Sequence, residues 1–371
     1  MRREYLIGVF FLWSIANLGR VGASWAFEPD EPLYKPLSIV AVTPAAANGI
    51  YVLDGIHNGK IDSAVMDSAD IDGVLAGFSW TVLEPTEGKF NWKLLDSILR
   101  QAAAGGKKVS LVLGAGWLTP TWVYADGAQK FNFIWDQASW GPKLCSVATI
   151  PVPWDPVYLT KWAALVAAAG ARYGNNPTIA SIKITGINSK TQELFLPTAV
   201  KQPINGGKTS CVSDDDVADW QTAGYTPAKV ESAFASVMEM FVRAFPENKL
   251  EAMLTRSGFP PIDDNGNRYT PSYGRDSEVT DDFASSGLAD YPAQFTLQNN
   301  GWTATTIWAT ETSYASRITT GYQEGTVQGS QTPAAITLAL SAGPAYLEFY
   351  ENDALNPAVQ SALVSAHHVL Q

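Results

Sequence analysis

"WDPVYLTKWAALVAAAGARYGNNPTIASIKITGIN", residues 154–188, holds one complete helix-to-strand unit, and its reading decides the fold. Asp155 before Pro156 supplies a capping carboxylate, and proline suits the first helical position because its missing N–H would go unpaired there anyway. The helix that begins here stops at Gly174. In "IASIKITG" (179–186) the apolar Ile182 and Ile184 alternate with Lys183 and Thr185. A strand of that pattern turns one face to a helix layer and the other to an interior.

Working outward, short β-branched runs recur between helical stretches: "LSIVAV" (37–42), "GVLAGFSW" (73–80), "KVSLVLGAG" (108–116), 179–186, "KLEAMLTRS" (249–257), "AQFTLQNN" (293–300), "RITTGYQEG" (317–325) and "AYLEFYEN" (345–352). Such runs, each followed by a helix, describe a parallel sheet covered on its outer face. Thr226-Pro227, Thr332-Pro333 and Asn356-Pro357 repeat the capping pattern, and Gly105 supplies another stop. "TTIWATETS" (305–313) follows the sixth run too closely for a crossover helix, so 302–316 is read as the sixth helix and its approach. Strand and helix repeated eight times without a linker predict an α/β fold, the (β/α)8 TIM barrel, as a single domain over 27–371. The β3–α3 loop (about 117–154) and the β4–α4 loop (about 187–226) are long, which in a barrel marks the face where function is expected.

The totals agree with one large barrel: 371 residues, 46% apolar and 16% charged. A net charge of −11 argues against a nucleic-acid partner, which needs a concentrated basic surface. Thirteen Trp, fourteen Tyr and fifteen Phe exceed what the core requires, and flat rings bind the apolar faces of sugars. At the N-terminus, Arg2 and Arg3 precede an apolar run from Leu6 to about Leu18, with small residues at Ser24 and Ala26. This is the layout of a secretory signal peptide (1–26), so the expected location is extracellular or periplasmic, with no stable membrane association after cleavage near Ala23 or Ala26. In an oxidising compartment Cys145 and Cys211, both in loop sequence, are expected to pair. No Cys/His cluster suggests a metal, and no cofactor is implied. His57, His367 and His368 are the only histidines, and the last two fall in a C-terminal helix. A Ser-His-Asp triad is left with His57 alone and no Gly-x-Ser-x-Gly elbow.

Polar residues gather at the C-terminal strand ends. Asn188 and Glu193 follow the fourth strand, in a stretch that also holds Thr191 and Gln192. In the eighth, Leu347 and Phe349 should pack on helices, which aims Tyr346, Glu348 and Tyr350 inward; a carboxylate there needs a partner, and Lys183 is available. In the seventh strand Gln323 points inward and Glu324 stands at the end. Gln298, Asn299 and Asn300 bring amides, donors and acceptors suited to sugar hydroxyls, to the rim of the sixth. Trp80, Trp117, Trp122 and Trp302 lie at or beyond strands two, three and six, where one or two are expected to stack on a sugar.

"GFSWTVLEPTEGKFNWKLLDSILRQAAAGGKKVSLVLGAGWLTPTWV" (77–123) and the opening unit (154–188) resemble segments of retaining (β/α)8 glycoside hydrolases, most of all the family 42 β-galactosidases and their family 5 cellulase relatives. The similarity spans roughly 70–200. It implies hydrolysis of O-glycosidic bonds in an oligo- or polysaccharide by two carboxylates, with a Glu directly after the Asn of strand four and a nucleophilic Glu at the end of strand seven. This chain departs from the pattern: Ser189 follows Asn188, which moves the acid/base role to Glu193 and leaves Glu324, Glu348 and Glu311 as claimants for the second carboxylate. A carboxyl separation of roughly 5 Å would mean retention and roughly 6.5–9.5 Å inversion. The alternative is a carbohydrate-binding barrel without catalysis.

Overall fold

Eight parallel strands hydrogen-bond in a closed ring in the computed structural model, which describes residues 47–371 except 208, 256–257, 272–277 and 308 and the side chains of 309–311. They are β1 (Gly49–Leu53), β2 (Gly73–Ser79), β3 (Lys108–Gly114), β4 (Ile179–Lys183), β5 (Lys249–Leu254), β6 (Phe295–Trp302), β7 (Thr319–Glu324) and β8 (Tyr346–Tyr350). Each pairs with its chain neighbours, and β8 closes on β1. After each strand comes its helix: α1 (Ser63–Asp67), α2 (Lys93–Ala104), α3 (Pro156–Tyr173), α4 (Pro227–Ala244), α5 (Glu278–Asp290), α6 (Ala309–Tyr314), α7 (Thr332–Ser341) and α8 (Gln360–Leu370). The TIM barrel read from the repeats is therefore the fold, and 302–316 does hold the sixth helix. Among the described residues no helix is long and apolar enough to cross a membrane.

The first strand is a correction. "GIYVL" (49–53), wholly buried, opens the barrel, whereas the denser apolar run 37–42 lies outside the described residues, as does the signal-peptide stretch 1–26. Two of the four capping pairs act as read: Asp155 accepts from the Tyr158 N–H at 2.8 Å and Thr226 from that of Lys229 at 3.3 Å. The other two do not. Thr332 is already the first residue of α7, and Asn356 accepts from the Ala358 N–H in a turn before α8.

Alternation sorts the side chains as the sequence pattern requires. Leu347 and Phe349 are fully buried, and the Phe349 ring meets Trp302 edge-on at 5.3 Å. Lys183 and Glu348 instead meet each other inside the barrel. Both long loops carry structure of their own. The β3–α3 loop forms a hairpin, Lys130–Ile134 against Val147–Pro151, and the β4–α4 loop forms another, Pro203–Gly206 against Thr209–Val212. A Cys145–Cys211 disulfide, with Cα atoms 5.9 Å apart, ties the two loops together as expected.

Candidate active site

A cleft of about 680 Å³ opens at the C-terminal mouth of the barrel. Its floor and walls come from the ends of β1 (Leu53, Asp54), β2 (Phe78, Ser79), β3 (Gly114), β7 (Gln323) and β8 (Tyr350), and from the loop Asn188–Glu193 after β4. Trp117 and Trp140 add two indole rings from the β3–α3 loop.

The polar run after β4 shapes one wall. The Asn188 amide bonds its own loop at both ends: its Oδ1 accepts from the Gly186 N–H at 2.9 Å, and its Nδ2 donates to the Thr191 carbonyl at 2.7 Å. Gly186, at φ +118°, makes the turn out of the strand, and a Cβ there would stand 2.7 Å from the Trp162 indole nitrogen. Across the loop the Trp117 N–H donates to the Ser189 carbonyl at 3.0 Å, and the Trp117 indole N–H to that of Lys190 at 2.8 Å. Gly116 permits this approach, because its φ of +65° and a Cβ position 2.4 Å from the Ser189 oxygen admit no side chain. Asn188 thus braces the loop that leads to Glu193, and its own amide is spent in doing so.

Glu193 lines the cleft with its Oε2 buried and without a hydrogen-bond partner. Burial pushes its carboxyl above the ordinary range, against the opposing pull of the Asn300 amide and, through space, of Lys183. A carboxylic acid whose proton is held more tightly than usual and which has an unpartnered oxygen at a cleft is equipped to donate that proton. Among the described residues lining the cleft, the other carboxylate is the exposed Asp54. Tyr350 stands close enough to both for their charges to raise its phenol further, after burial has done most of the work.

Beneath the floor lies a buried polar network. Lys183 Nζ meets Glu348 Oε1 at 2.6 Å and pairs also with Glu251, all three side chains being at most 1% exposed. Burial alone would lower the Lys183 ammonium, but the two carboxylates more than offset it and hold it above its ordinary value. Glu348 is pushed up, by burial first and by Glu251 as well, since two carboxylates face one ammonium. Gln298 donates to Glu348 Oε2 at 2.8 Å and to Asn300 Oδ1 at 2.7 Å, and Asn300 donates to Gln323 Oε1 at 3.3 Å. The chain of amides therefore climbs from the ion pairs to Gln323 in the cleft floor.

Of the residues singled out in the sequence, the structure brings Asn188, Glu193, Trp117, Gln323 and Tyr350 to the cleft. Gln298, Asn300 and Glu348 lie in the network below it, and Asn299 alternates to the other face of β6. Trp80 is a core residue instead: fully buried, it donates to Glu84 at 2.8 Å and packs among Trp122, Tyr158 and Trp162. Trp302, also fully buried, donates to the Ala335 carbonyl at 2.8 Å. Glu324 faces away from the cleft, where it accepts from Gln328 and from the Tyr350 N–H beside Asp353. Glu311 is in α6, with its side chain outside the described ones.

Asp54, Trp140 and Lys190 were not read from the sequence as site residues. Asp54 directly follows the true first strand, so correct placement of β1 would have found it by the same rule that found Glu193. As to metals, among the described residues His57, Asp62 and Glu351 have ligand atoms within 4.8 Å of one another. Within that group His57 Nε2 already meets Glu351 Oε2 at 2.6 Å, and that hydrogen bond raises the His57 imidazole.

The family model of the family 42 β-galactosidases matches residues 57–193, less than half of the chain, and ends on Glu193. No curated protein matches the sequence. Among solved structures the chain is similar to the catalytic domain of a β-amylase from Paenibacillus polymyxa, with TM-score 0.57 and 11% identity over 87% of this chain and 98% of that one. It is also similar to a β-galactosidase from the psychrophilic Marinomonas ef1, with TM-score 0.50 and 13% identity over 86% of this chain and 59% of that one. An exo-β-1,4-mannosidase from Opitutaceae bacterium strain TAV5 stands at TM-score 0.44 and 15% identity, over 86% of this chain and 55% of that one. At such identities the structural likeness shows the fold. The resemblance to (β/α)8 glycoside hydrolases is borne out, by the family match over 57–193 and by the closed barrel.

Proposed function

We propose that the protein is a glycoside hydrolase in which Glu193 is the general acid and Asp54 the second carboxylate. The observation that carries this is Glu193 itself: half-buried, with its carboxyl raised and its Oε2 buried and unpartnered, in the wall of a cleft at the barrel mouth. Hydrolysis of a glycosidic bond needs one carboxyl group protonated, to assist the leaving oxygen, and one ionised, to attack the anomeric carbon or activate water. The family match supports that chemistry, and Trp117 and Trp140 offer rings for sugar faces. The substrate is an oligo- or polysaccharide, and the Arg2–Ala26 layout supports action outside the cytoplasm.

The test is a screen of chromogenic β-glycosides and soluble β-glucans and β-mannans with residues 27–371. Asp54→Asn should abolish all cleavage and Glu193→Gln that of the glucans and mannans, whose leaving groups need a proton, whereas Glu324→Gln and Glu348→Gln should act on stability. Cleavage that survives both of the first two and is lost with Glu324→Gln would reassign the second carboxylate. A carbohydrate-binding barrel without catalysis is the second reading. One observation favours it: the inward residue at the end of β7, where the resemblance implies a glutamate, is the amide Gln323. Sugar binding without cleavage of any substrate would establish that reading.

A further inference from the structure

A second cavity, of about 380 Å³, is lined by Phe195–Ala199, which follow Glu193 in the chain. Its lining also includes Phe133, Gln202, Lys190 and Asp216. Lys190, held by Asp136 at 2.6 Å, also lines the main cleft, so the two cavities share this residue. The volume is within the about 300–1,000 Å³ of small-ligand pockets.

Asp216 distinguishes this pocket from a surface dent. It is 3% exposed, and only half of its carboxyl group is satisfied: Oδ2 accepts from the Ala199 N–H at 2.8 Å, while Oδ1 is buried with no hydrogen-bond partner. A buried polar atom left in that state costs free energy comparable to a lost hydrogen bond, which a ligand hydroxyl would restore. Burial pushes this carboxyl up to about 7, so near neutrality it both donates and accepts, and the facing charges are Lys190, Asp214 and Asp219. One wall residue, Ile204, pairs across the hairpin with Cys211, which is tied to Cys145 in the opposite loop. Two rings, an amide, hydroxyls and a carboxyl that can play either part are the complement of a sugar ring.

We propose that this side pocket is a further subsite, occupied by a sugar unit of the same chain whose other end lies in the cleft at Glu193, so that the ligand is an oligosaccharide longer than two units. The inference rests on the glycoside reading of the cleft for its ligand class. It is tested by binding, with catalysis silenced: Glu193→Gln is titrated by calorimetry with β-1,4-linked gluco-, manno- and galacto-oligosaccharides of two to five units. In at least one series the affinity should rise about tenfold from two units to five, and Thr198→Trp, which fills the pocket from its half-exposed wall, should cut that gain to within about twofold. Asp216→Asn, which preserves the acceptor for Ala199, should cut it as well. Affinity that is flat with length in every series, or a gain that neither variant alters, overturns the subsite. The two ideas fail separately. A length-dependent gain in a protein that cleaves nothing keeps the subsite and removes the hydrolase, and cleavage of aryl glycosides with flat binding does the reverse.

Discussion

Replacing Glu324 by Gln should flatten the dependence of stability on pH. Glu324 is fully buried behind the cleft wall; burial pushes its carboxyl up to about 8, with Asp353 adding to the shift. A group whose folded value is raised stabilises the native state below its unfolded value, about 4.5, and that contribution is lost as pH rises through the folded value. Between the two limits each pH step costs about 1.4 kcal/mol, so from pH 5 to pH 7 this one carboxyl removes about 3 kcal/mol. The Gln amide replaces the acid hydroxyl toward Asp353, and its carbonyl remains an acceptor for Gln328 or the Tyr350 N–H. At about 2 °C per kcal/mol, the melting temperature of Glu324→Gln relative to the unsubstituted protein should climb by about 6 °C over that interval. Thermal melts at half-unit steps from pH 5 to pH 8 measure the difference, which also cancels the other raised carboxyls. A difference that stays constant across the range refutes the assignment of a raised, structural Glu324.

Two further outcomes follow from the same interior. Lys183→Met leaves Glu251 and Glu348 facing each other without a cation and should cost about 3–5 kcal/mol in chemical denaturation, while Glu348→Gln, which leaves one carboxylate to one ammonium and keeps an acceptor for Gln298, should cost much less. Equal losses in the two variants would contradict the triad. Serine at both Cys145 and Cys211 opens a closure spanning 66 residues and should lower stability by about 4 kcal/mol, read from the denaturation midpoint and slope. An unchanged midpoint would mean that the two loops hold their places by packing alone.

Much of the architecture was legible because it rests on short-period patterns. The two-residue alternation of "AYLEFYEND" marks Glu348 as inward, within reach of Lys183, and the same alternation in "RITTGYQEG" separates Gln323 from Glu324 at the end of β7. The cysteine pair was legible from parity and loop context. Properties set by the third dimension were not. Trp80 and Trp117 sit alike at strand ends in sequence, yet Trp80 turns into the helix layer beside Trp162 and Trp117 into the cleft. Asp54 was hidden because the apolar density of 37–42 outweighed that of 49–53, and a residue after an uncounted strand draws no attention. The side pocket was equally out of reach, since Phe133, Lys190 and Asp216 meet only once two long loops fold together.

The central claim is that Glu193 gives a proton to the leaving oxygen. It is tested most directly by comparing Glu193→Gln with the unsubstituted protein on one sugar carrying two leaving groups, a 2,4-dinitrophenyl group that departs without protonation and a second sugar that does not. The account predicts that kcat/KM for the sugar leaving group falls by about 10²–10⁴ while that for dinitrophenyl changes far less. Equal losses on both substrates, or none on either, would contradict it.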